Sequence, residues 1–263
     1  MNPAAAAARP GVPGSVRMVT FAPMVDSECT RLILTHYAIP FDERDHIFGW
    51  ASLLTFAHLG YGRIPLVHGK GLRSSGPRAT VDKLDAKMGD RRLLPLDPAV
   101  RAEVERSWAL YNGTLAADVA VFAYYHLLPA REAMIEAFGR PLGNRERRVA
   151  ASAYGVVRGM LKLLLRLNAT RAAAALDRIR RTLDVADQAV ADGRPFLHGD
   201  RLTLADLGLV SAVEPLALPP RYQRHVPELV RVPAGFRTVV EETRARPVAG
   251  FVTRILDGLT GTT

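Results

Sequence analysis

Phe196-Leu197-His198-Gly199-Asp200-Arg201-Leu202-Thr203-Leu204-Ala205-Asp206 is the stretch that decides the fold. Thr203 is a residue type that caps helices, because its side-chain oxygen can accept from an N–H that the first turn leaves without a partner. Asp206, three residues on, can accept in return from the backbone N–H of Thr203, which makes a reciprocal capping box. Leu202 can then pack on Leu207 across the first turn as a hydrophobic staple. The role expected of this segment is to start a buried helix, not to perform chemistry.

Upstream of it, Asp97 to His126, Pro129 to Phe138, Arg145 to Leu167 and Thr170 to Asp192 are Ala-, Leu- and Arg-rich helical patterns separated by Pro, Gly or Asn. Further upstream the pattern changes. Arg17 to Phe21 is a short β-type run ending at Ala22-Pro23, Asp26 opens a helical pattern, and Ile39-Pro40-Phe41 begins a second extended piece. Trp50 to Leu59 is short and helical, and Tyr61-Gly62-Arg63 leads into Ile64-Pro65-Leu66-Val67. His68-Gly69-Lys70-Gly71 is a hairpin turn, after which Gly76 to Met88 returns to helix. The order βαβ, short helix, hairpin, helix within about 75 residues is the size of one small α/β domain. The division expected is therefore a tail over 1–16, an α/β domain over 17–92 and an all-helical domain over 93–263.

Composition narrows the function classes. The chain has 263 residues, 48% apolar and 23% charged, enough to bury one large core or two moderate ones. Its single cysteine, Cys29, excludes an intramolecular disulfide framework and a cysteine-based zinc site, so a reducing cytoplasm is the expected location. MNPAAAAARPGVPG has no basic segment followed by an apolar one and does not read as a signal peptide. No uninterrupted apolar run reaches the length of a membrane span; Tyr154 to Leu167 is broken by Arg158, Lys162 and Arg166. The net charge of +9 raises the question of nucleic acid. Much of the excess, however, is arginine between apolar positions from Arg145 to Arg181, as on a solvated helix face. Neither nucleic acid nor a membrane is an expected partner.

Three features together resemble the glutathione S-transferase superfamily, with a thioredoxin-like N-terminal domain and an all-helical C-terminal one. Ile64-Pro65-Leu66 before the hairpin is similar to the family's cis-proline loop; the tertiary amide makes a cis bond accessible there. Leu72-Arg73-Ser74-Ser75 is similar to the step that holds the γ-glutamyl group at a helix start, with Ser74 where the family has Glu or Gln. The third is the Phe196–Asp206 segment. By this resemblance Ile64 would pair with the cysteinyl backbone of glutathione, with Pro65, Ser74 and Ser75 completing a binding site. Glutathione is then the co-substrate, with no metal required. A homodimer is expected.

Thiol transfer needs a hydrogen-bond donor at the sulfur, because a donor favours the thiolate. The family supplies Tyr, Ser or Cys near the end of the first strand, and this chain has no tyrosine there. Ser27 and Cys29 are the candidates in the first helical turns, with Thr20 a further one. Asp26 reads most simply as a helix cap. Each has a structural alternative: Ser27 as a solvated first-turn serine, Cys29 as a small buried residue beside Leu32 and Ile33, and Thr20 as an ordinary strand residue. Trp108 and Tyr111 are expected to line the electrophile's cleft, together with Phe122, Tyr124 and Tyr125. The function expected is transfer of the thiol to an apolar electrophile, the alternative being a non-catalytic protein of this fold that binds a ligand or partner.

Overall fold

β1 (Val16–Thr20) and β2 (Phe41–Asp45) run parallel, with α1 (Val25–His36) crossing between them. A parallel pair needs such a crossover, and Asp26 and Glu28 in the first turn of α1 suit its positive end. After α2 (Phe48–Leu59), the hairpin β3 (Leu66–Gly69) and β4 (Leu72–Ser75) adds two antiparallel strands, giving the order β2-β1-β3-β4. Gly71, at φ 76°, makes the tight turn between them, a conformation that glycine adopts without steric cost. α3 (Gly76–Leu84) then starts directly from β4.

The computed structural model describes residues 11–21, 23–46, 48–59, 64–140, 142–222 and 226–260. Positions 1–10 of the expected tail, Ala22 at the end of the first strand run and the Tyr61-Gly62-Arg63 lead-in lie outside the described residues. Val16, assigned to the tail from sequence, is the first residue of β1, and Val12 packs against the core.

The rest is helical. α4 (Pro98–Trp108) continues through a π-helical turn (Ala109–Leu115) into α5 (Ala116–Leu127), so the helix expected from Asp97 to His126 is one rod with a widened middle. Asp97 caps it, accepting from the N–H groups of Ala99 and Val100. α6 (Arg131–Gly139), α7 (Asn144–Ser152), α8 (Tyr154–Leu164) and the long α9 (Ala169–Val190) follow. α7 and α8 are separate because Ala153 leaves helical geometry at φ −84°, ψ 0°. α10 (Leu204–Ala217) is buried on all sides, with α11 (Ala234–Arg244) and α12 (Pro247–Thr260) packed against it. Its expected capping box is formed: the backbone N–H and the hydroxyl of Thr203 both donate to Asp206 Oδ2 at 2.7 Å. Asp206 Oδ1 also accepts from the N–H of Leu197 at 2.7 Å, which ties the Phe196–Leu197 pair to the helix start.

The two parts share one core. α1 packs on α10, and the N–H of Leu204 donates to the carbonyl of Leu93 at 2.9 Å. Asp85 anchors the connection, accepting from the Tyr37 hydroxyl at 2.8 Å and the N–H of Leu93 at 2.6 Å. The small sheet is thus held fast against the helical part, a rigid floor for whatever binds between them.

Candidate functional site

The carboxyl end of β1 and the first turn of α1 form the centre of the site. Thr20 and Ser27 are both fully buried and their hydroxyls are hydrogen-bonded to each other. Ser27 Oγ donates to the carbonyl of Phe21 at 3.1 Å, so Thr20 is the donor within the pair. The two hydroxyls therefore tie the strand end to the helix start from the inside. They hold Phe21 against the first turn of α1.

Cys29, the other activator expected from sequence, lies two residues further along α1, also with no exposure. Burial, chiefly, raises its thiol well above its usual range; a hydrogen bond from Ser211 on α10 opposes this, and the charges of Asp26, Glu28 and Glu214 add to it. Cys29 packs between α1 and α10 and does not line the cavity described below.

The peptide bond Ile64–Pro65 is cis. Antiparallel pairing sets Val19 of β1 opposite Leu66, so the next residues along, Thr20 and Pro65, meet at the same edge. The carbonyl of Pro65 accepts from the N–H of Gly76 at 2.8 Å, joining this loop to the start of α3. Ser75 is the cap residue of α3, with extended φ −128° and ψ 116°. Ser74 is buried, its hydroxyl 2.9 Å from that of Thr80, which in turn donates to the carbonyl of Gly76 at 2.9 Å. Ile64, Pro65, Ser74 and Ser75 are thus gathered at one end of the sheet, beside a helix amino terminus suited to a carboxylate.

Against Phe21, Pro23, Met24, Val25 and Asp26 opens an apolar cavity of about 320 Å³. Its opposite wall is the helical part, and the residues there are small: Gly113, Ala116, Ala117, Ala120 and Ala123 recur at helical spacing from the π turn through α5. Phe138, Leu161, Pro215, Tyr222 and Phe236 close it. Trp108 and Tyr111 are not among the lining residues. Trp108 packs over Gly208 of α10, where an added Cβ would come within 2.9 Å of its ring, and Tyr111 is buried in the core. The physical reason is packing: Trp108 is taken up against Gly208 of α10 and Tyr111 by the core, and the side of the rod turned to the cavity carries Gly113 and alanines. Of the other aromatics, Tyr124 lines the cavity, while Phe122 is buried against Phe236 with ring centroids 5.8 Å apart. The signal available in the sequence was the run of small residues; a wall without side chains is what leaves room for a ligand.

A buried ionic network holds the helix start from behind. Arg31 bonds Glu28 at 2.6 Å and, through Nε and Nη2, Glu43 of β2 at 2.5 to 3.0 Å. Burial disfavours its charge, but Glu28 and Glu43 overcome this and hold the guanidinium firmly protonated. Arg221 bonds the other oxygen of Glu28 at 2.6 Å and lies 3.5 Å from Glu214 of α10. Burial first, then the charge of Glu28, pushes the Glu214 carboxyl well up. Tyr222, beside Arg221 in sequence, donates to the carbonyl of Pro23 at 3.1 Å and so ties the cavity wall to its floor.

Comparison with known proteins agrees with this architecture. Residues 169–241 match the family model for the glutathione S-transferase C-terminal domain. Among solved structures, the β-etherase LigF from Sphingobium sp. strain SYK-6 is similar at a TM-score of 0.58 and 13% identity, covering 93% of this chain and 99% of its own. A glutathione S-transferase from Sinorhizobium meliloti aligns at 0.55 and 18%, covering 92% of each chain. One from Methylobacterium radiotolerans, solved in complex with glutathione sulfonate, aligns at 0.53 and 19%, covering 92% of this chain and 94% of its own. A search of curated protein sequences found no match.

Proposed function

Since the chain has the fold of the glutathione S-transferase superfamily, we propose that it binds glutathione, or a related thiol, and transfers it to an apolar electrophile by thiolate attack. One observation carries this reading: Pro65 lies beside Thr20 at the end of β1 and the next residue, Phe21, lines the apolar cavity, so a thiol held at the loop would face an electrophile in the cavity.

In this proposal Ile64 and Pro65 pair with the cysteinyl backbone, and Ser75 and the amino end of α3 take the γ-glutamyl carboxylate. The sulfur lies at the amino end of α1, where backbone N–H groups and the helix dipole stabilise its ionised form. Ser27 and Thr20 act by holding that turn, as positioning residues. Cys29 is a packing residue. The thiolate attacks the electrophilic carbon, a carbon–sulfur bond forms, and the leaving group departs with its electron pair; the thiol proton passes to solvent.

The alternative, a non-catalytic ligand-binding protein of this fold, is favoured by the inward-turned hydroxyls of Thr20 and Ser27, which leave no side-chain hydroxyl among the described residues of the cavity's floor. Isothermal titration with glutathione, followed by assay on a chloronitroaromatic electrophile, separates the readings. Binding with turnover is expected. Binding without turnover on any apolar electrophile selects the alternative, and no heat at millimolar thiol removes both. A homodimer and a cytoplasmic location belong to the same proposal; light scattering and cell fractionation test them.

A further inference from the structure

On the face of the sheet that carries α2, cross-strand neighbours form a row from edge to edge: Asp42 of β2, Arg17 of β1, His68 of β3 and Arg73 of β4. A cavity of about 340 Å³ beside this row is lined by Arg17, Val19, Arg44, His46, Leu54, His58 and His68. The His58 and His68 rings stack with centroids 5.0 Å apart and 22° between their planes. Few acids face these groups. Asp42 serves both Arg44, at 2.9 Å, and Arg17, at 3.7 Å, through one oxygen, and Glu146 of α7 bonds His46 at 3.1 Å. Among the described residues, two carboxylates therefore answer three guanidinium groups and three imidazoles. None of Ile64, Pro65, Ser74 and Ser75 lines this cavity.

We propose that this cavity binds a doubly charged oxyanion, a phosphate or sulfate group, through Arg17, Arg44 and the His58–His68 pair. Guanidinium forks match such a group in geometry and imidazolium donors add to them; Val19 and Leu54 give the cavity an apolar wall for a small organic body carrying the group. The site is sensitive to protonation. Burial first, then His58, Arg17 and Arg73, lowers the ease with which His68 takes a proton, and a bound dianion would reverse the effect of the charges. Binding is therefore tighter at lower pH, where His68 can be charged against the anion.

The test is titration calorimetry of the full chain at low ionic strength with inorganic sulfate, which stays dianionic throughout, and with phenyl phosphate. Affinity for sulfate should rise by up to about tenfold from about pH 8 to pH 6 for each unit by which binding lifts an imidazole's titration. Arg17→Gln and His68→Gln should each weaken binding, whereas Arg181→Gln, on the distant α9, should not. Histidine NMR should show the His68 midpoint moving up with sulfate in a variant that binds. Binding of sulfate and phenyl phosphate alike supports a free oxyanion as ligand, and binding of phenyl phosphate alone supports one carried on an organic molecule. No saturable binding of either, or equal losses in Arg17→Gln and Arg181→Gln, overturns the site and leaves only general attraction to a basic protein.

Discussion

The hydroxyl of Ser27 and the thiol of Cys29 look interchangeable in sequence, as polar groups in the first turns of a helix. They differ in what α1 does with each. Ser27 ties β1 to α1 through Thr20 and Phe21, whereas Cys29 faces α10. Cys29→Ala is therefore expected to keep glutathione turnover within about twofold of wild type and to cost about 1 kcal/mol of stability for the lost packing; steady-state kinetics and thermal melts check both. Loss of turnover with the fold intact would make Cys29 the nucleophile after all. The sequence made both residues candidates, and about half a helical turn separates the one that bonds the strand end from the one that packs toward α10.

Elements decide more than single residues in this site. The rod from α4 to α5 was legible as helix, but its π turn was not, because no residue type marks it. Gly113, Ala116, Ala120 and Ala123 of that rod line the cavity, and Trp108 and Tyr111 do not. Ala120→Phe should fill the cavity and raise KM for an apolar electrophile by roughly tenfold or more, leaving glutathione affinity unchanged in calorimetry. An equal loss in both would show that the two ligands do not occupy separate places. α1 depends on its ionic support in the same way. Arg31→Ala strands Glu43 and leaves Glu28 with Arg221 alone, and removal of one partner from a buried pair costs about 3–5 kcal/mol. Chemical denaturation should report that loss, and a change under 1 kcal/mol, roughly the worth of an exposed pair, would show the network to be solvated.

At the scale of the whole molecule, the capping box at Thr203 and the proline before the hairpin made the architecture readable, because each is a local rule that the global fold also obeys. The charge network joining α1, β2 and α10 was not readable, since its members lie far apart in the chain. Two groups, Glu214 of this network and the half-buried His36 at the far end of α1, make stability depend on pH with opposing signs. His36 is held below its usual range, chiefly by burial, and bonds the carbonyl of Arg91 through Nε2 at 2.9 Å. As pH falls through about 6.5, the unfolded chain takes a proton that folded His36 resists, so this contribution is lost toward acid. Glu214 is raised instead, so the folded state holds its proton longer than the unfolded one, and stability from this group is lost as pH rises. Melting curves in oxyanion-free buffers should show His36→Gln gaining on wild type toward acid and Glu214→Gln gaining toward alkali. Parallel curves for both variants would mean that neither group is buried as described.

The crystal structure of the protein soaked with glutathione is the measurement that meets the central claim directly. It should show the cysteinyl backbone on Ile64, the γ-glutamyl carboxylate at Ser75 and the sulfur at the amino end of α1, facing the cavity lined by Gly113 and Ala116. A sulfur bonded to Cys29, or a thiol bound anywhere other than between the cis-proline loop and α3, would contradict it.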